Sequence, residues 1–166
     1  MIDRAEQSDF LAKVQEHRNI IRKVGWLYGR NNADREDLEQ DILLQLWRSR
    51  ESFDGRSAFS TWVYRVSLNT AITFRRRQRP SVPLDHEPQT PARQAEEAEF
   101  TDELRQLHGA IARLGAIEKA LILLWLDERS YAEIADTLGI STKNVSVRLV
   151  RIRAKLAHLV GDKEDS

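Results

Sequence analysis

The stretch SYAEIADTLGISTKNVSVRLVRIRAKL, from Ser130 to Leu156, decides how this chain is read. Ser130 with Glu133 three residues on is a capping-box signature for a helix over Tyr131 to Leu138. Leu138, Gly139 and Ile140 supply a turn, and a second helix starts at Ser141 or Thr142. Two helices crossing steeply need a small residue at the crossing, a glycine that accepts positive φ in the turn, and apolar anchors on both sides. Ala135, Gly139, and the pair Val145 and Leu149 meet those needs. The second helix then turns Thr142, Lys143, Asn144, Ser146, Arg148 and Arg151 outward. In a DNA-binding helix-turn-helix, such a helix enters the major groove with its N-terminal residues at base edges.

Charge supports the same direction. The 26 Lys and Arg balance 26 Asp and Glu, yet the signs cluster along the chain. Arg56 to Leu84 holds six arginines (56, 65, 75, 76, 77, 79) and no acid, whereas Asp85 to Glu103 holds seven acids and only Arg93. Thr137 to Gly161 again lacks acids and carries Lys143, Arg148, Arg151, Arg153 and Lys155. A neutral chain with two separate basic stretches is suited to hold a polyanion at two places.

All four prolines (Pro80, Pro83, Pro88, Pro91) fall in one window followed by the acidic ARQAEEAE. Proline lacks the amide donor and restricts the residue before it, so no helix crosses this window. The expected organisation is a helical domain over 1–78, a flexible linker over 79–98, a helix-turn-helix domain over 99–160 and a tail over 161–166. With 7 Gly and few β-branched runs, the expected fold class is all-α, two small helical domains joined by a proline-rich acidic linker.

In the first domain, Phe10, Leu11, Val14, Ile20, Ile21, Val24 and Leu27 recur at helical spacing, with a break expected near Glu16 to Asn19 and Gly25 and Gly29 weakening the end. Asp34 is the expected cap of the next helix, whose buried stripe is Leu38, Ile42, Leu43, Leu46 and Trp47. After a loop at 52–57, Phe59 to Arg77 reads as one helix, with Trp62, Val63, Val66, Ala71 and Phe74 for its core. In the second domain, Leu104, Leu107, Ile111 and Leu114 precede Gly115, a helix separator, and the apolar IEKALILLWL.

Several functions fall away. Zero cysteine removes disulfides, thiolate metal sites and thiol nucleophiles. His17, His86, His108 and His158 are scattered, no carboxylate cluster has metal-ligand spacing, and no glycine-rich phosphate loop exists. The expectation is no catalytic residues, no metal and no cofactor. No run of about 18 apolar residues occurs and the first residues lack a signal-peptide pattern, so the expected setting is the cytoplasm, without membrane insertion.

Beyond the helix-turn-helix, DREDLEQDILLQLWRSRESFDG (34–55) and RSAFSTWVYRVSLNTAITFRRRQR (56–79) carry Asp-Leu-x-Gln, Leu-Trp and Phe-x-Thr-Trp-x-Tyr-Arg followed by Asn. With SYAEIADTLGIS these resemble bacterial RNA polymerase sigma factors of the extracytoplasmic-function (ECF) type, which consist of a region 2 and a region 4 domain. The resemblance covers nearly the whole chain. It implies that the protein binds core RNA polymerase, with Asp37, Leu38, Gln40 and Asp41 at the clamp helices of the largest subunit, and that it also meets the flap of the second-largest. It implies that Ser57, Ala58 and Phe59 shape a pocket for a flipped minus-ten base, that Arg65 and Asn69 face DNA, and that Arg75, Arg76, Arg77 and Arg79 lie against phosphates. It further implies that Thr142, Lys143, Asn144, Ser146, Arg148 and Arg151 read the minus-thirty-five element, and that an anti-sigma factor is a further possible partner. Trp62 and Phe74 are better explained by core packing. Two departures stand out: Lys143 and Ser146 replace the family's Gly and Lys, and Glu128 and Arg129 stand where Gly and Leu are usual.

The competing reading is a helix-turn-helix regulator that binds duplex DNA as a homodimer without polymerase. Its discriminator is the N-terminal domain, since a sensor domain has no reason to align Trp62, Arg65, Asn69 and an arginine cluster on one helix.

Overall fold

A computed structural model describes residues 3–78 and 101–161, and the expected linker 79–98 lies outside them, as does most of the expected tail. Every regular element among the described residues is a helix, and the chain divides into two compact units, Met1–Gln78 and Arg79–Ser166. No described helix is long and apolar enough to cross a membrane.

The first unit packs α1 (Arg4–Glu16), α2 (Arg18–Tyr28), α3 (Asn32–Arg48) and α4 (Phe59–Arg77), with a single 3₁₀ turn at Arg50–Ser52. The expected break falls at His17, whose ring nitrogen Nδ1 lies 2.8 Å from the Lys13 carbonyl at the end of α1. Apolar residues at helical spacing then bury Ile21 and Val24 of α2, Leu38, Ile42 and Leu46 of α3, and Val63, Tyr64, Leu68 and Ala71 of α4 in one core. Burial pushes the Tyr28 phenol well above its usual range, so it stays neutral. Trp62 is buried, as its core assignment required, whereas Phe74 and Val66 are half-buried.

Two local expectations are corrected. Asn31, not Asp34, caps α3: its side chain accepts the Asp34 N–H at 2.8 Å. Asp34 sits in the first turn, where its carboxylate accepts the Arg30 N–H and the Gln78 side-chain amide, both at 3.3 Å. The glycines Gly25 and Gly29 do more than loosen a helix end. A methyl group at Gly29 would stand 2.6 Å from Arg35 Cγ, and one at Gly25 would stand 3.0 Å from Glu39 Cγ, so both permit the close approach of α2 and α3.

The second unit holds α5 (Asp102–Ala112), α6 (Ala116–Leu126), α7 (Tyr131–Leu138) and α8 (Thr142–Gly161). Thr101, Ser130 and Ser141 accept amide N–H bonds at the starts of α5, α7 and α8, satisfying donors that a helix start otherwise leaves open. At the start of α6, Gly115 separates the helices as expected, and its N–H donates to Glu118 Oε1 at 3.3 Å. The core is Ile111, Leu114, Leu121, Leu124 and Ile134 with Val145, Leu149, Ile152 and Leu156 of α8.

Two turns in this unit share one hydrogen-bond pattern. After α7 the Ile140 N–H reaches back to the Ala135 carbonyl, and Gly139 between them has φ 68°. After α6 the Arg129 N–H reaches Leu124 and the Glu128 N–H reaches Trp125, and Glu128 has φ 57°. This is a helix-ending motif that favours glycine, because a side chain in the left-handed region crowds its own carbonyl at a cost of about 1–2 kcal/mol. Arg129 offsets part of that cost through ion pairs with Asp127 at 3.6 Å and Glu133 at 3.5 Å. Glu128→Gly is therefore expected to stabilise the protein by about 1 kcal/mol and to raise the unfolding midpoint of this unit by about 5 °C in a thermal melt. An unchanged or lowered midpoint would show that the strain is relieved elsewhere.

Candidate nucleic-acid interface

Each unit exposes one long helix free of acids. In α4, 19 residues from Phe59 to Arg77, and in α8, 20 residues from Thr142 to Gly161, one side is buried and the other carries arginine.

The α8 surface is built by its anchors. Val145, Leu149, Ile152 and Leu156 are all less than 8% exposed and fix one side of the helix against the unit. Thr142, Lys143, Asn144, Arg148 and Arg151 consequently stand in solvent, and Ser146 is half-buried at the edge. The basic run of the sequence splits in two. Arg153 lies over the Trp125 ring, 4.9 Å from its centroid, and Lys155 pairs with Glu118 at 3.4 Å, so both also hold α8 to α6. Lys143, Arg148 and Arg151 make up the outward cationic set.

The loop before α4 is held by aromatic side chains. Gly55 turns it with φ 79°, and Arg56 bonds back to Asp54, through its N–H at 3.0 Å and its guanidinium at 3.2 Å. Phe53 and Phe59 meet edge to face at 5.3 Å, and Trp62 lies 5.4 Å from Phe59. Of the three residues expected to shape a base pocket, Ala58 is exposed while Ser57 and Phe59 are half-buried. Ala58 precedes α4 without a side-chain cap. Three residues were not read as part of this site: Phe10 of α1, 6.2 Å from Phe59, Lys13 of α1, whose ammonium stands 5.8 Å from the Phe59 centroid, and His17 just after α1, 5.1 Å from Phe59. Nothing local couples residues 10–17 to 59.

Along α4, Asn69, Arg76 and Arg77 are exposed, and Arg65 and Arg75 are half-buried. On α3, Asp37, Gln40 and Asp41 are exposed as expected. Leu38 is not part of that surface. It is 0% exposed, because it faces the core with Ile42 and Leu46. Between α3 and α4 runs a groove of about 600 Å³ that brings Asp41 together with Asn69 and Arg77. Leu44, Gln45 and Arg48 also line it, residues that the sequence reading passed over. Leu44 is 44% exposed there, an apolar side chain on an otherwise polar face.

A family model described as Sigma-70 region 2 matches residues 14–81, and one described as Sigma-70, region 4 matches residues 104–156. The chain is 29% identical over 174 residues to the RNA polymerase sigma factor NccH of Alcaligenes xylosoxydans xylosoxydans, covering 95% of this chain and 91% of that one. Its fold is similar to that of the sigma factor RpoE solved with the anti-sigma factor NepR from Bartonella quintana, with a TM-score of 0.73 at 21% identity over 92% of this chain and 97% of that one. It is also similar to CnrH solved in complex with the cytosolic domain of CnrY, with a TM-score of 0.69 at 25% identity over 94% of this chain and 90% of that one.

Proposed function

Because the chain belongs to the ECF sigma factors of the sigma-70 family, non-enzymatic initiation factors that direct RNA polymerase to promoters, we propose a division of labour between its two units. The first unit docks on the clamp helices of core polymerase through Asp37, Gln40 and Asp41 and takes the minus-ten element along α4. The second reads the minus-thirty-five element with α8 and meets the polymerase flap. The observation that carries this reading is the pair of acid-free helices with exposed arginines, one in each unit. Phosphate contacts position such a protein and base contacts specify its site.

Melting follows from the same parts without covalent chemistry. A base leaving the stack needs a small pocket, and Ser57 and Ala58 at the open start of α4, floored by Phe59, offer one. Asn69, two turns or more along the helix, reads the adjoining duplex, and Arg76 and Arg77 neutralise phosphates. An anti-sigma factor is a further partner in this proposal, since the relatives RpoE and CnrH were solved with NepR and the cytosolic domain of CnrY. The setting is the cytoplasm, where core polymerase works.

The test separates the units. Asn69→Ala is expected to reduce open-complex formation on a duplex promoter about tenfold, the worth of one bidentate base contact. A template already unpaired over the minus-ten element should recover most of that loss if Asn69 acts in opening. Normal opening by Asn69→Ala would remove α4 from the downstream role.

A further inference from the structure

Resting on the proposal that α8 is the reading helix, we infer that Val147 determines part of the upstream specificity by packing on the 5-methyl group of a thymine. Val147 lies four residues after Lys143 and four before Arg151, so the three form one ridge of the helix. It stands two residues from each of the buried anchors Val145 and Leu149, a rotation of about 200°, so it points directly away from the core. It is 40% exposed, a β-branched apolar side chain in the centre of a polar, cationic face. Arg148 is its neighbour in sequence and is exposed beside it.

The occupant follows from these surroundings. Because α8 supplies no acid, a protein partner that covered Val147 would itself have to place acids against Lys143, Arg148 and Arg151 around one small apolar contact. A DNA major groove neutralises those three cations and also presents an apolar group at base level, the thymine methyl. Val147 is in the second turn of α8, within the N-terminal part that reaches base edges in a helix-turn-helix. Val150, 63% exposed, lies nearly a turn further on, beside Arg151 and past the N-terminal residues that reach base edges in a helix-turn-helix.

The probe is a promoter recovered with the holoenzyme from genomic fragments, in which each thymine of the upstream element is replaced in turn by deoxyuridine. That change removes one methyl group and leaves every hydrogen-bonding edge intact. With wild-type holoenzyme, one replacement is expected to weaken binding about fourfold, the worth of one buried methyl. With Val147→Ala holoenzyme the same replacement is expected to have no effect, because the contact is already gone. Position 147 is on the surface, and alanine is a stronger helix former than valine, so the variant is expected to fold. Equal uracil effects in both proteins, or an upstream element without thymine on either strand, would overturn the inference while leaving α8 as the reader. Arg148→Ala measured in parallel separates the two levels: full binding by that variant would overturn the role of α8 and the Val147 contact with it.

Discussion

Replacing Arg148 with alanine is expected to weaken recognition of the upstream promoter element by about 5- to 150-fold, the range spanned by one bidentate contact to a guanine edge. The residue is exposed on α8, on the flank of the side that Val145 and Leu149 bury, so its removal opens no cavity. Thermal stability should stay within about 0.5 kcal/mol of the parent, and binding to core polymerase should be unchanged. The signature is in the base preference. A base contact relaxes the requirement at one base pair, whereas a phosphate contact weakens all sequences alike and lowers the salt dependence by about one counterion. Titration of the holoenzyme on promoters carrying each base at each upstream position distinguishes the two, and a uniform loss would reassign Arg148 to the backbone.

The second large effect separates holding α3 in place from docking on it. Leu38→Ala is expected to cost about 2–5 kcal/mol, because Leu38 is fully buried and a truncated side chain leaves a cavity that the helices fill only in part. Against the 5–15 kcal/mol typical of a whole domain, that is enough to lower the unfolding midpoint of the first unit by many degrees. Gln40→Ala and Asp41→Ala are on the exposed side of the same helix. They should leave the melt within about 0.5 kcal/mol and weaken core polymerase in a direct binding assay. If Leu38→Ala melted normally and yet lost core binding, Leu38 would be a contact residue after all. If Gln40→Ala and Asp41→Ala bound core normally, the docking face would lie elsewhere.

What the sequence made legible depended on how local its cause is. Both limits of α4 could be read because Gly55 ahead and Pro80 behind confine a continuous helical pattern. Gly139 was legible for a similar reason, since a left-handed residue between two amphipathic stretches calls for glycine. The start of α3 was missed by three residues because Asn31 and Asp34 are both good caps. What decides between them includes a bond from Gln78 to Asp34, 44 residues away. Gly25 and Gly29 looked like helix breakers because their closest neighbours, Glu39 and Arg35, belong to another helix.

The candidate site followed the same division. The outward residues of α8 could be read from periodicity alone, because four aliphatic anchors on one side fix the other. That Arg153 and Lys155 turn back toward Trp125 and Glu118 could not, since charge in a sequence does not reveal direction. Leu38 lies inside the docking motif in sequence, although its own spacing with Ile42 and Leu46 marks it as core. The groove that joins Asp41 to Asn69 and Arg77 exists only once α3 and α4 pack together.

Run-off transcription with purified core RNA polymerase on a pool of genomic promoter fragments, with and without this protein, tests the central claim most directly. The account predicts transcripts that appear only when the protein is added and that start downstream of two shared sequence elements. Duplex DNA binding by the protein alone, with no association with core polymerase and no dependent transcript, would contradict it and favour a dimeric helix-turn-helix regulator.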